Sequence, residues 1–82
     1  MALYMDVHHV EGVKSADVAD AHAADLKIQG DYGVDYKQYW VDEEAGTIFC
    51  LVEAPDEEAA NTVHRQAHGL VADEIHRVVE GS

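Results

Sequence analysis

The sequence predicts an α+β domain whose elements follow the order βαββαβ. Four short segments alternate apolar and polar residues, which is the pattern of strands with one buried face. Two longer segments carry helix-capping signals, one between the first two strands and one between the last two. This order is typical of the ferredoxin-like arrangement, in which two helices pack on one face of an antiparallel sheet. A chain of 82 residues has the size of a single domain, so we expect one domain over residues 1–82.

The first half of the chain is predicted to form a strand, a helix and a second strand. Apolar residues recur at alternate positions from Leu3 to Val10, which predicts a strand with two different sides. One side carries Leu3, Met5 and Val7, and the other carries Tyr4, Asp6 and His8. Ser15 is the expected N-cap of an alanine-rich helix over residues 16–30. The second strand is expected over residues 34–42, where valine, tyrosine and tryptophan supply β propensity.

The second half of the chain begins with a hairpin loop and then adds a strand, a helix and a strand. Residues 43–46 end in glycine, as many hairpin loops do, and lead into a strand over residues 47–54. Asp56 is the expected N-cap of a second helix that runs to about His68. A last short strand is expected over residues 74–79.

The third predicted strand is apolar on both of its faces. Ile48, Cys50 and Val52 lie on one face, and Phe49 and Leu51 lie on the other. An antiparallel sheet with helices on one side needs only one apolar face, and no other predicted element is left to cover the second face. We therefore predict a homodimer in which two sheets face each other as an α+β barrel-like pair. A monomer with one exposed apolar sheet face is the alternative.

The composition excludes several classes of partner and site. Its 17 acidic and 5 basic residues give a formal net charge of −12, whereas nucleic acids and anionic membranes bind basic surfaces. A negative field attracts cations, and six histidines supply imidazole, a ligand of nickel, copper and zinc. Cys50 is the only cysteine, so neither an intrachain disulfide nor a Cys-based zinc motif can form. With no signal peptide and no apolar stretch of about 20 residues, we expect a cytoplasmic protein.

Three polar residues lie along the inward face of the first predicted helix. At about 100° per residue, His22, Asp25 and Gln29 share this face with apolar neighbours. An unsatisfied buried polar group costs about 1–3 kcal/mol, so these side chains need partners. A mutual His22–Asp25 bond is available, and we expect other partners on the facing strands, namely Asp6, His8 and Glu53. The stripe is then either a satisfied structural network or the wall of a polar cavity.

The second predicted helix carries a pair of histidines near its end. His64 and His68 lie one helical turn apart, where two imidazoles can reach one ion, and Gly69 then ends the helix. Residues 60, 63 and 67 define an apolar inward face, so the pair is expected on an accessible flank. A metal held there would be a surface site, completed by water or by a partner subunit. Two solvated helix histidines without a ligand are the alternative.

Motifs spread over nearly the whole chain carry a family resemblance. They are Met5-Asp6-x-His8, Ala21-His22-x-x-Asp25-Leu26-x-x-Gln29, Tyr32-Gly33-Val34, Phe49-Cys50-Leu51-x-Glu53, Val63-His64-x-x-Ala67-His68 and Ala72-Asp73-Glu74-Ile75. Together they resemble the small nickel-responsive, nickel-binding proteins of a domain-of-unknown-function family. The resemblance implies a ferredoxin-like homodimer that binds nickel at its surface, with a role in nickel sequestration or detoxification. It implies metal ligation by His64 and His68 first, and then by His8 and His22.

Two functions follow from these observations. The first is a non-catalytic nickel-binding homodimer, in which bound metal can also drive higher association of dimers. Imidazole and carboxylate suit Ni²⁺, but Cu²⁺ and Zn²⁺ take the same ligands, so the choice of nickel depends on the resemblance. The second is a small dimeric pocket enzyme, monooxygenase- or isomerase-like, that uses His22, Asp25 and His8 around an internal cavity.

Overall fold

The computed structural model describes residues 1–81 and has the predicted order of elements. The chain forms β1 (Ala2–His9), α1 (Ser15–Ile28), a 3₁₀ helix (Gln29–Tyr32), β2 (Asp35–Asp42), β3 (Thr47–Ala54), α2 (Glu57–Ala67) and β4 (Glu74–Val78). The four strands form one antiparallel sheet in the order β2-β3-β1-β4. The predicted ferredoxin-like α+β fold is therefore confirmed. Within residues 1–81, neither helix has the length and apolar character needed to cross a membrane.

The two helices differ in how well their predicted starts match the structure. Asp56 caps α2 as predicted, because its Oδ1 accepts a hydrogen bond of 2.8 Å from the backbone N–H of Ala59. The prediction for α1 was wrong, since Ser15 is already helical and Lys14 takes the N-cap position without a side-chain bond. The backbone N–H of Ser15 instead donates to Glu43 Oε2 at 2.8 Å. A serine N-cap would have accepted from the backbone N–H of Asp17 or Val18, and both of these groups instead donate to the backbone carbonyl of Lys14.

Strand β2 contains one extra residue relative to β3. Tyr36 pairs with Val52 and Gln38 pairs with Leu51, so Lys37 has no partner in the ladder and forms a bulge. Side chains alternate along a regular strand, which would place residues three apart on opposite faces. Because of the bulge, Tyr39 lies on the same face of the sheet as Tyr36. It pairs across the strands with Cys50, which also faces inward.

The two faces of the sheet have different surroundings. The inner face packs against the helices and supplies most of the core, which comprises Tyr4, Val13, Val18, Val34, Tyr36, Ile48, Cys50, Val52, Ala54, Ala60 and Val63. On the outer face Trp40 pairs with Phe49, and these side chains are 48% and 36% exposed. Leu51 also lies on this face and is half-buried. The prediction that β3 is apolar on both faces is confirmed, while the dimer that it implies stays a prediction.

Candidate metal centre

His64 lies in the protein interior between two carboxylates. Its side chain is almost fully buried, and its ring nitrogens lie 3.0 Å from Asp25 Oδ1 and 3.0 Å from Asp6 Oδ2. The predicted accessible position of His64 is therefore wrong. On α2 it follows Ala60 by one turn, and both residues are buried. The buried face of α2 is thus wider than its apolar residues alone indicate, because two carboxylates on other elements give the imidazole buried partners.

Asp6 is the innermost carboxylate of the cluster and has three side-chain partners. Its Oδ1 accepts from His8 Nε2 at 3.0 Å, while its Oδ2 accepts from His64 Nε2 and from the Tyr36 hydroxyl at 2.9 Å. The same hydroxyl lies 3.1 Å from the backbone carbonyl of Ala60. A charge with no exposed surface needs this degree of satisfaction, since an unpaired buried carboxylate costs several kcal/mol.

Three ligand atoms converge where α1 faces α2. His64 Nδ1 and His68 Nε2 each lie 3.0 Å from Asp25 Oδ1, and the two nitrogens are 3.2 Å apart. Asp25 is buried, and the side chain of His68 is only 14% exposed. We call these three residues the metal triangle. One carboxylate and two imidazoles are thereby held in contact, although Asp25 and His64 are 39 residues apart in the sequence.

The hydrogen bonds of His68 fix the position of its ring hydrogen. The backbone N–H of Leu70 donates to His68 Nδ1 at 3.1 Å, so Nδ1 carries a lone pair and the hydrogen is on Nε2. This Nε2–H points to Asp25 Oδ1, as does the Nδ1–H of His64. Two N–H groups that share one acceptor cannot bond to each other. The 3.2 Å separation between these nitrogens is therefore a contact between two donors.

Charge within the cluster is distributed as a cation between two anions. Burial alone would lower the pKa of His64, but hydrogen bonds and charge interactions with Asp25 and Asp6 raise it to about 9. Burial likewise opposes ionisation of Asp6 and Asp25, yet their hydrogen bonds to histidines hold the pKa of both carboxyls below the usual value. At neutral pH the interior thus holds an imidazolium flanked by two carboxylates.

Cys50 completes a second group of potential ligands on the inner face of the sheet. One ligand atom from each of Asp6, His8, Cys50 and His64 lies within 4.8 Å of the others. Burial, and then the negative charge of Asp6, raises the pKa of the Cys50 thiol, so this sulfur is a neutral, weak ligand. The sequence pattern placed Cys50 on one apolar face of the third strand, but it contained no sign that Cys50 faces the carboxylate.

The predicted polar stripe of α1 divides in the structure. Asp25 joins the cluster, whereas the His22 ring is half-buried and packs on Tyr39 with 4.8 Å between ring centroids. Gln29 Oε1 accepts a hydrogen bond from the backbone N–H of Tyr36 at 2.8 Å. Glu53 faces away, with its nearest cation, Lys37, at 3.9 Å. The expected contacts of His22 with Asp25 and of Glu53 with the cluster are therefore absent from residues 1–81.

A cleft lies beside the cluster and brings the other predicted residues together. It encloses about 170 Å³ between α1, the end of α2 and the inner face of the sheet. His8, His22 and Asp25 all line it, as do His64 and His68. The four predicted metal-ligating histidines therefore share one cavity, although only His8, His64 and His68 contact the carboxylate network.

Comparison with known proteins identifies the family. The model of the family described as nickel responsive protein SCO4226-like matches residues 4–78. This chain belongs to that family. The SCO4226-like fold is also seen in the crystal structure of SCO4226 from Streptomyces coelicolor A3(2), which is 44% identical in sequence with a TM-score of 0.91. That similarity covers 99% of this chain and 100% of the other. Comparison with curated proteins finds no match.

Proposed function

We propose that this protein binds nickel at the metal triangle and serves in nickel sequestration or detoxification. One observation carries the proposal, namely the convergence of Asp25 Oδ1, His64 Nδ1 and His68 Nε2 with separations of 3.0, 3.0 and 3.2 Å. Neighbouring ligand atoms in an octahedral site with bonds of about 2.1 Å lie roughly 3 Å apart. The three atoms therefore have the spacing of three adjacent ligands before any ion binds. The family description adds nickel as the metal.

The donor set suits Ni²⁺ on chemical grounds. Two imidazoles and a carboxylate form an N/O site, and among divalent first-row metals such sites hold nickel more tightly than manganese, iron or cobalt. Metal-binding histidines commonly donate their second ring N–H to a carboxylate, which fixes the ring and raises its basicity. His64 has this arrangement, because Asp6 Oδ2 accepts from its Nε2 while Nδ1 faces the triangle. His8 and Tyr36 hold Asp6 in place.

Two features of the metal triangle favour a cation in place of the two ring hydrogens that face Asp25 Oδ1. His64 Nδ1–H and His68 Nε2–H face the same oxygen, and their nitrogens are in close contact. A metal bound to both nitrogens removes this contact between donors. Ligation through His68 Nε2 requires the ring hydrogen on Nδ1, so the bond from Leu70 N–H is given up. The site is consequently preorganised in distance. Binding a metal would replace the N–H bonds of His64 and His68 to Asp25, release the Nδ1 hydrogen of His64 as a proton and move the ring hydrogen of His68 to Nδ1.

A calorimetric titration of the metal-free protein with nickel chloride tests the site. We expect binding in the parent protein, at least a tenfold loss of affinity in His68→Ala, and unchanged affinity in the matched variant His76→Ala. His76 is exposed, and within residues 1–81 its side chain bonds only to Glu74, so this variant controls for loss of a histidine as such. Circular dichroism establishes that both variants fold. Equal nickel affinities of His68→Ala and His76→Ala would contradict binding at the metal triangle. Parallel titrations with copper and zinc chloride test the choice of metal.

The protein is further proposed to act as a homodimer that pairs through the outer face of the sheet. Trp40 and Phe49 are exposed there as a cross-strand pair beside Leu51. Large apolar side chains on one face mark a protein contact surface more often than a solvent surface. Light scattering on the parent protein and on Trp40→Glu tests the dimer: we expect twice the chain mass in the parent and a monomer in the variant. A monomeric parent would contradict the proposal, and repeating the measurement with added nickel tests metal-driven association.

A further inference from the structure

The cleft beside the metal triangle has the lining of a small-molecule site. Its walls include six aliphatic side chains, namely Val10, Val13, Val18, Ala21, Ile48 and Leu70. Its volume of about 170 Å³ is of the order of engineered cavities, about 150 Å³, that bind benzene. A molecule with one six-membered ring or a short alkyl chain therefore fits this space.

Two polar atoms of buried side chains face the cleft without a partner. Asp25 is bonded through Oδ1 and His8 through Nε2, so Asp25 Oδ2 and His8 Nδ1 remain unengaged within residues 1–81. In that part of the chain, every side-chain nitrogen or oxygen that is fully shielded from solvent has a hydrogen-bond partner. These two atoms therefore retain contact with open space. Both residues line the cleft, and both are more than nine-tenths buried.

Both unengaged atoms are hydrogen-bond acceptors. Asp25 Oδ1 accepts from both His64 Nδ1–H and His68 Nε2–H, which is the bonding of a carboxylate, and a carboxylate only accepts. Because the carboxylate of Asp6 only accepts, His8 Nε2 has to carry a ring hydrogen, and in the tautomer with that one hydrogen Nδ1 presents a lone pair. A ligand that satisfies these atoms has to bring donors. The exposed acids Glu11 and Asp17 at the same cleft add to the negative charge and favour a cation.

We propose that the cleft binds a small, mainly apolar primary amine. Its ammonium group donates to Asp25 Oδ2 or His8 Nδ1, and its hydrocarbon part lies against the aliphatic walls. An alkylammonium or arylmethylammonium ion meets each requirement, since it brings up to three donors, a positive charge and an apolar body. The site needs no metal and so goes beyond the proposed nickel function, although Asp25 belongs to both.

The probe is benzylamine, added to the metal-free protein in chelator and followed by ¹H–¹⁵N NMR. We expect saturable shifts at residues that line the cleft, binding at least tenfold weaker for benzyl alcohol, and no binding for benzoate. Nuclear Overhauser contacts between the benzylamine ring and the methyl groups of Val18 and Ile48 in the parent protein place the ligand. Absence of these contacts, or binding of benzoate as tight as that of benzylamine, overturns the proposal without any variant.

A matched pair of variants then tests the cleft itself. Ala21 lines the cleft on α1, whereas Ala23 is exposed two residues later on the same helix. Ala21→Leu fills the cavity and is expected to abolish benzylamine binding, while Ala23→Leu leaves it unchanged. Neither residue belongs to the metal triangle, so nickel titrations of both variants report separately on the proposed function. Benzylamine binding that survives Ala21→Leu with unchanged affinity contradicts the proposal.

Discussion

The chain contains two clusters of histidine and carboxylate that differ mainly in burial. In the interior, His64 lies between Asp6 and Asp25 with both contacts at 3.0 Å. On the surface, Glu74 lies between His9 and His76, with contacts of 3.2 and 3.1 Å. All three side chains of the surface cluster are at least half exposed. Similar groups at similar distances therefore occur in two different dielectric environments.

The two clusters contain the same kinds of side chain, but they differ in how closely their ligand atoms approach one another. Groups whose ligand atoms all lie within 4.8 Å of one another occur, within residues 1–81, only in the buried cluster. In the surface cluster the two histidines approach different oxygens of Glu74. Water and salt screen such exposed pairs, whereas the interior has to satisfy every charge it contains. The comparison indicates that packing, rather than the number of histidines in a region, brings candidate metal ligands together.

Removal of the His64 imidazole is expected to have the largest effect on stability. His64→Ala leaves Asp6 and Asp25 as neighbouring buried carboxylates without their shared cation. We expect the free energy of unfolding to fall by about 3–5 kcal/mol, as it does when one partner of a buried ion pair is lost. Urea unfolding of the metal-free protein measures this loss, with His76→Ala as the surface counterpart. If both substitutions lowered the free energy of unfolding equally, the burial of His64 would not account for its contribution to stability.

The pH dependence of stability tests the charges of the buried cluster. The pKa of His64 rises from 6.5 to about 9 on folding, so its contribution is complete below pH 6.5 and is lost as the pH rises to about 9. That shift corresponds to about 3 kcal/mol. The pKa of Asp6 and Asp25 is lowered, so their contribution is present above pH 3.8 and is lost as the pH falls below it.

Urea midpoints of the metal-free protein between pH 5 and pH 8.5, a range in which ionisation of an unfolded cysteine contributes little, check the alkaline part of this prediction. We expect a decline above pH 6.5 in the parent and in His76→Ala, and a flat profile in His64→Gln, which keeps polar atoms but has no titratable ring. A similar alkaline decline in His64→Gln would assign the effect to another group.

A smaller effect is expected when one neutral donor is removed from Asp6. Tyr36→Phe removes the hydroxyl that lies 2.9 Å from Asp6 Oδ2 and leaves the ring in the core. The loss of one hydrogen bond to a buried charged group predicts a destabilisation of about 1.5–3 kcal/mol. Tyr32→Phe provides the control, because Tyr32 is exposed. Equal thermal unfolding midpoints of Tyr36→Phe and Tyr32→Phe would contradict this prediction.

The smallest effect is expected in the surface cluster. Glu74→Gln removes the negative charge from both of its pairs, to His9 and to His76. Since exposed pairs of this kind contribute little, we expect the unfolding midpoint and the nickel affinity to equal those of the parent. Differential scanning calorimetry and the nickel titration check both statements. A clear loss of nickel affinity would show that the surface cluster takes part in binding.

Much of the architecture followed from local patterns, whereas the centre of the site did not. Alternation predicted the strands and placed Asp6 and His8 on the inner side of β1, and the angular position of Asp25 placed it inward. His64 was expected at the surface because α2 shows an apolar stripe beside it. Its burial depends on Asp6 and Asp25, 58 and 39 residues away in sequence. A helical pattern carries no information about partners at that separation.

One available signal could have indicated the buried imidazole. Asp25 was predicted to point inward, and a buried carboxylate needs a cation or several donors. The facing helix offers only histidines and Arg65 as cations, and Arg65 lies on its outer side. Pairing the inward acid of α1 with a histidine of α2 would have required the helix packing, which the sequence pattern alone did not supply.

The bulge at Lys37 makes β2 one residue longer than its pairing with β3 requires. With this residue in place, Tyr36 and Tyr39 both face the helices, although they are three positions apart. Without it, Tyr36, Gln38, Tyr39 and Trp40 would alternate regularly against consecutive residues of β3, so every side chain would keep its face. A one-residue deletion at Lys37 would therefore remove the bulge and leave the register intact, whereas a shift of one residue in a regular strand exchanges its two faces. Length is consequently less constrained at this point than elsewhere in the edge strand.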